Sequence, residues 1–161
     1  MHFLRGRRFS SRRLPPGAAL LFCFALGATL TAGIPEAFAG TAASSYGYTG
    51  TVYGYSYYDY AEIVTGGSQG LGDTGMGNTS GNDAPTGYMG VQAFLTAASN
   101  NATCTNTGWS YTSAPTVATN IPTNTVTCPA GNYYSQGFAR AYNGNGYNTY
   151  TTPRTPNQPI A

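Results

Sequence analysis

Between Tyr133 and Tyr142 the sequence alternates without a break, with Tyr134, Gln136, Phe138, Arg140 and Tyr142 on one parity and Tyr133, Ser135, Gly137, Ala139 and Ala141 on the other. A period of two is the mark of a strand, because a helix would scatter these residues around its axis. The even face is large and amphipathic. The odd face is mostly small, which suits a sheet lying close against a second layer, as in a sandwich or barrel. Asn143-Gly144-Asn145-Gly146 follows, and these residues tolerate positive φ. A type I′ turn is therefore expected to reverse the chain into a strand starting near Tyr147.

Cys128 stands just before this strand, and Cys104 is the other cysteine in the same part of the chain. A Cys104–Cys128 bridge closes a loop of about 25 residues and contributes roughly 3–4 kcal/mol in the chain-entropy model. A reactive thiol or a metal ligand is the alternative, but no His lies nearby and the CxxC spacing is missing. A structural disulfide is expected, with no metal site and no cofactor.

Residues 1–39 read as an export signal. Arg5, Arg7, Arg8, Arg12 and Arg13 form a basic segment, Ala18 to Gly33 is an apolar run, and Ala37-Phe38-Ala39 places small residues where a signal peptidase reads them. Cleavage is expected between Ala39 and Gly40. The apolar run, which contains Gly27, Thr29 and Thr31, is shorter than the roughly 20 residues of a spanning helix. No membrane association is expected after cleavage. Cys23 leaves with the signal, and bulky Phe22 before it is unlike a lipidation site.

Removing the signal inverts the charge. The precursor carries +2, whereas the remainder has Arg140 and Arg154 against Asp59, Glu62, Asp73 and Asp83, which is two positive against four negative groups. It contains no Lys and no His. Nucleic acid is excluded as a partner, since displacing counterions needs clustered cations. Anionic lipid is excluded on the same ground.

Residues 40–153 are expected to form one all-β domain, a small antiparallel sandwich or barrel, followed by an extended, poorly ordered Pro-rich tail at 154–161. The composition would approach the disordered class without tyrosine, yet all 14 tyrosines follow the signal. Each can bury a ring while its hydroxyl stays bonded, and with Thr and Val they favour sheet. In Thr41–Val64 the tyrosines alternate with small residues and change phase near Thr49-Gly50, which predicts a turn or bulge there. Two readings compete for these rings, a ligand-facing ladder or the core, and scarcity of aliphatics favours the core. Residues 65–86 lack periodicity and read as a long exposed loop. Asp73, Asn78, Asn82 and Asp83 in that loop are oxygen ligands of the calcium type, but their spacing does not match an EF-hand loop. Gly87–Thr96 is expected to be a central strand and Thr107–Ser113 another, with Trp109 and Tyr111 on one face. Ala114–Thr125 reads as a Pro-punctuated linker.

Without His or Lys, and with both cysteines bridged, nucleophilic triads and Schiff-base chemistry lack their parts. Asp59 and Glu62, three apart, would face opposite sides of a strand and make a poor acid–base pair. No enzymatic activity is expected. The combination of an export signal, Tyr-rich strands, Gly-Trp-Ser-Tyr after Cys104, and Tyr-Tyr-Ser-Gln-Gly with Tyr-Asn-Gly-Asn-Gly-Tyr after Cys128 resembles small secreted proteins of actinomycetes. The resemblance covers most of residues 85–155 and implies export and a small β fold. The expected role is binding of a cell-envelope or extracellular glycan through Trp109, Tyr134, Gln136, Phe138, Arg140 and Tyr142. A secreted interaction protein, an inhibitor or small antibacterial toxin, is the alternative, and a structural surface protein is a third.

Overall fold

Two long strands joined by a tight reversal start the fold. β3 (Tyr55–Gly66) and β4 (Gln69–Asn78) pair antiparallel from Tyr57↔Asn78 to Gly66↔Gln69, around a two-residue turn in which Gly67 takes φ 54°. A left-handed φ is strained for other residues, so the Gly-Ser turn sets this register. The computed structural model describes residues 40–161. The expected export signal, including Ala39, lies outside them, and Gly40 opens the first strand, β1 (Gly40–Ala43).

The β3–β4 hairpin corrects the exposed loop expected at 65–86. β4 is buried along nearly its whole length. Its glycines, which break the hydrophobic pattern, have a steric reason. Tyr58 and Tyr60 on β3 pair with Gly77 and Gly75, and a Cβ at either glycine would run into the ring lying over it. Glycine in a strand is stabilised when a cross-strand aromatic covers it. On the inner side, a Cβ at Gly72 would stand 2.8 Å from the Phe94 carbonyl oxygen of the opposing sheet.

The second sheet is built on β5 (Met89–Ala97) and β10 (Gly131–Tyr142), paired antiparallel from Met89↔Ala141 to Ala97↔Tyr133. The two sheets pack face to face as the expected all-β sandwich. From Tyr133 on, the odd residues of β10 are buried and the even ones from Gln136 onward are partly exposed, as the alternation predicts. Ser135 Oγ donates across the layers to the Asp73 carbonyl at 3.1 Å, a contact that only small inner residues permit. Two apolar clusters fill the ends. One contains Val52, Tyr57, Met76, Met89, Val91 and Ala139, and the other contains Ile63, Leu95, Cys128, Tyr133 and Ile160.

Every long central strand is flanked by an edge strand broken into two pieces. β1 and β2 (Gly47–Val52) share the edge of β3, and β8 (Ala118–Pro122) and β9 (Val126–Thr127) share that of β4. β6 (Thr103–Asn106) and β7 (Ser110–Tyr111) flank β5, and β11 (Tyr147–Thr151) and β12 (Gln158–Ile160) flank β10. At each break a hydroxyl residue splices the ladder, and two do so between β11 and β12. Ser44 donates its N–H to the Ala61 carbonyl and accepts the Ala61 N–H on Oγ. Thr123 does the same with Gly72, Thr107 with Ala93, and Thr152 with Gly137. Thr155 repeats the arrangement on Ser135. The hydroxyl stands in for the carbonyl that the broken strand cannot supply, so the central backbone donors stay satisfied.

These splices correct two further expectations. The Pro-rich tail is part of the sheet: Thr155 and Ile160 are buried, and β12 pairs with residues 131–133 of β10. The supposed linker 114–125 contains β8. Pro153 and Pro156 fall between β11 and β12, where the chain leaves the ladder and needs no further donor. The reversal after β10 also differs in type. Tyr142 pairs with Tyr147 as foreseen, but of the four residues between them only Gly144 has positive φ, whereas a type I′ turn needs two such residues.

Cys104 on β6 and Cys128 after β9 form the expected disulfide, with Cα atoms 6.1 Å apart. Because β6 belongs to the second sheet and β9 to the first, the bridge ties the two layers together.

Candidate binding faces

Most of the tyrosines of 41–64 are on the outside, which corrects the core expectation. Tyr57 is buried at 1% exposure, while Tyr46, Tyr48 and Tyr53 are 54, 80 and 57% exposed. The phase change is real: the β2–β3 register shifts between Tyr48 and Gly50. Tyr58 and Tyr60, on the outward parity of β3, lie over the cross-strand glycines Gly77 and Gly75 instead of between the sheets. Tyr57, by contrast, carries its hydroxyl into the core without a hydrogen-bond partner, and burial pushes its pKa up to about 12.

The outer face of the second sheet gathers five of the six expected contact residues. In one cross-strand row, Thr149 pairs with Arg140, Arg140 with Gly90, and Gly90 with Tyr111. Gly90 leaves room for the Tyr111 ring to lie over it. Arg140 then lies over Trp109, 3.8 Å from its ring centre, donates from Nη1 to the Tyr111 hydroxyl at 2.7 Å, and donates from Nε to Thr149 Oγ1 at 3.2 Å. The guanidinium is thus held among rings at the distance of a cation–π contact. Aromatic contacts continue on both sides. Trp109 stacks on Tyr111 at 27° between ring planes and neighbours Phe138, which meets Phe94 edge-on. Tyr111 leads through Tyr147 to Tyr142. A shallow depression of about 170 Å³ between Phe94, Gln136 and Phe138 ends the strip. Gln136 donates from Nε2 to the Thr152 carbonyl at 3.0 Å, which fixes the amide at the rim.

Tyr134 does not join this strip. It is 7% exposed, its ring is covered by Arg154 at 3.5 Å, and its hydroxyl donates to Asn101 Oδ1 at 3.1 Å. The tail that was expected to be loose is what covers it.

The outer face of the first sheet holds a second group that the sequence did not reveal. Tyr58 and Tyr60 lie side by side, 22° between ring planes, and Tyr46 stands nearly perpendicular to both at 5.1 and 5.9 Å. Two residues beyond Tyr60, Glu62 pairs across the strands with Asp73. Asp73 Oδ2 accepts from Asn120 Nδ2 at 2.8 Å. Burial raises the pKa of both carboxyls; at Glu62 the Asp73 charge adds to it, and at Asp73 hydrogen bonding from the Asn120 amide and from the Thr74 and Ile121 backbone opposes it. The same two charges, after burial, help push Tyr60 up to about 12. Placing Asp73 in a loop concealed this pair. Asp59, as expected, faces away from Glu62: it is buried at 1% exposure, and burial pushes its pKa up to about 6. Among the described residues no group of three or more His, Cys, Asp or Glu side chains converges as a metal site.

No protein-family model matches this chain, and neither a curated protein nor a solved structure matches it significantly.

Proposed function

We propose that the protein is exported and binds an extracellular or cell-envelope glycan, without catalysis, through the outer face of the second sheet. One observation carries the reading: the row in which Arg140 is clamped between Thr149, Tyr111 and Trp109 within a run of outward rings. Flat rings offer their faces to the C–H side of a pyranose, and the adjoining guanidinium and amide donors suit its hydroxyls. Rigid placement lowers the ordering cost of binding. Export draws support from the basic and apolar start of the sequence and from the disulfide, which belongs to oxidising compartments.

Binding fits the residues better than chemistry does. Asp59 and Glu62 point to opposite sides of β3, and residues 40–161 contain neither His nor Lys. The test is sedimentation of the purified protein with insoluble chitin, cellulose and peptidoglycan, alongside Trp109→Ala. Retention on one polymer, lost with Trp109→Ala, is expected. No retention on any of the three refutes the reading and leaves the interaction-protein or surface-protein alternatives.

A further inference from the structure

The turn between β2 and β3 is built on a strained residue. Tyr53 has φ 48° and Gly54 has φ 86°, so both central positions are left-handed. A two-residue hairpin of this form ordinarily takes Asn-Gly, and a bulky side chain at its first position is unfavourable. What the ring touches gives the strain a reason. It lies over Gly144 in the β10–β11 turn, where a Cβ would stand 2.7 Å from Tyr53 Cε2. It meets Tyr142 edge-on, with ring centres 5.6 Å apart and 84° between planes, and Tyr88 at 5.9 Å. Tyr53 comes from the first sheet, whereas Tyr142 ends β10 and Tyr88 immediately precedes β5 in the second, so the rings meet across the layers. This is the end of the sandwich without the disulfide: Tyr88 packs on the cluster of Val52, Tyr57 and Met89, and Cys128 belongs to the other cluster.

Phenols held in contact are arranged for radical coupling, because proximity replaces a bimolecular encounter. Tyr53 is 57% exposed, so an oxidant in solution reaches it, and Tyr142 is partly exposed. The Tyr142 hydroxyl donates to the Gly144 carbonyl at 2.8 Å, which keeps both rings on the same turn. We propose that Tyr53 and Tyr142 form an oxidative cross-linking site, joined as dityrosine by a haem peroxidase that consumes hydrogen peroxide. Each phenol gives up one electron and its hydroxyl proton. A carbon–carbon bond then forms between ring positions next to the two hydroxyls, and the hydrogens displaced from those carbons move to the oxygens. The two electrons and two protons reduce one hydrogen peroxide to two waters. The new bond ties the sheets at the end opposite Cys104–Cys128, and thiol exchange, which opens a disulfide, cannot open it. Tyr88 is the poorer partner for Tyr53, because its ring packs against the core and its centre is farther away.

The test is treatment of the purified, disulfide-bonded protein with a haem peroxidase and hydrogen peroxide, followed by mass spectrometry of the monomer before and after digestion. Residues 40–161 contain only Arg140 and Arg154 as tryptic sites, so trypsin acting on the reduced protein separates Tyr53 from Tyr142 unless the two are joined. The expected product is a monomer lighter by two hydrogens, with dityrosine fluorescence, whose tryptic peptides 40–140 and 141–154 stay linked. Tyr53→Phe and Tyr142→Phe keep the rings but remove the phenol to be oxidised, and each should abolish the link. Tyr48→Phe, at a position 80% exposed, should leave it intact. An unchanged monomer mass, dimers in place of the modified monomer, a lighter monomer whose two peptides separate, or a link that survives Tyr53→Phe overturns the proposal.

Discussion

Replacing Thr152 by valine tests whether hydroxyls truly splice the broken edges. Thr152 is 1% exposed, and its Oγ1 accepts the Gly137 N–H at 2.9 Å while its own N–H donates to the Gly137 carbonyl at 3.0 Å. Valine keeps the volume, the branched shape and the backbone donation, and removes only the acceptor. The Gly137 N–H would then be buried without a partner, because β11 and β12 end on either side of it. An unsatisfied buried donor costs about 1–3 kcal/mol. For a domain of this size each kcal/mol lowers Tm by roughly 3–6 °C, so a fall of between about 3 and 18 °C is expected in oxidised protein followed by near-ultraviolet circular dichroism. Thr151→Val, at an exposed position of the same strand, should stay within about 0.5 kcal/mol of the parent. The other splices should rank by burial, with Thr123→Val close to Thr152→Val and Ser44→Ala smaller, since Ser44 itself is only partly buried. If Thr152→Val melts with the parent, the hydroxyl is not standing in for a carbonyl and the explanation of the broken edges is wrong.

Acid should stabilise the fold. Asp59 has a folded pKa of about 6 against an ordinary value of 3.8, so the folded state holds its proton more tightly than the unfolded chain does. Its contribution is therefore fully present below about pH 4 and is lost as pH rises through 6. The expected difference is about 1–3 kcal/mol, the upper figure being the whole shift at 1.4 kcal/mol per tenfold change in proton affinity. Melting at pH 4.5 and 7.5 should show the higher Tm at pH 4.5, with much of the slope removed in Asp59→Asn; a lower Tm in acid contradicts the burial of this carboxyl. Gly75→Ala should cost about 1–3 kcal/mol by overpacking against Tyr60, read by urea unfolding, and a neutral result would mean that the ring does not lie over this position. Reducing the Cys104–Cys128 bridge, which spans 24 residues, should lower stability by about 3–4 kcal/mol, measured by melting with and without reductant.

The sheet class and the β10 face were legible because Tyr133–Tyr142 keeps strict alternation, and the sequence alone places Arg140 beside Phe138 and Tyr142. β4 was not legible. Its inner glycines admit the second sheet and its outer glycines carry tyrosine rings, so the signal that makes it a strand lies in β3 and β10 and is missing from its own residues. The clue available was the Gly67-Ser68 pair after the strand-like run ending at Val64, a dipeptide that suits a two-residue hairpin turn. The same blindness hid the Glu62–Asp73 pair, which exists only once β4 is a strand in register with β3. The tail was misjudged because prolines suggest an unpaired segment, whereas Thr152, Thr155 and Ile160 between them supply the bonds and the apolar anchor that hold it. Tyr134 was taken for a surface residue on parity alone; its cover, Arg154, comes from that same tail.

The chain contains a single tryptophan, and it lies under Arg140 in the proposed glycan face, so its fluorescence reports on that face alone. Titration of the purified protein with soluble oligomers of chitin, cellulose and peptidoglycan, monitored at the Trp109 emission, is the most direct test of the central claim. A saturable change in intensity or wavelength with one of these glycans, abolished by Arg140→Ala together with Tyr111→Phe, is the predicted result. Emission that does not change with any of them, in protein shown to be folded and oxidised, would contradict the claim.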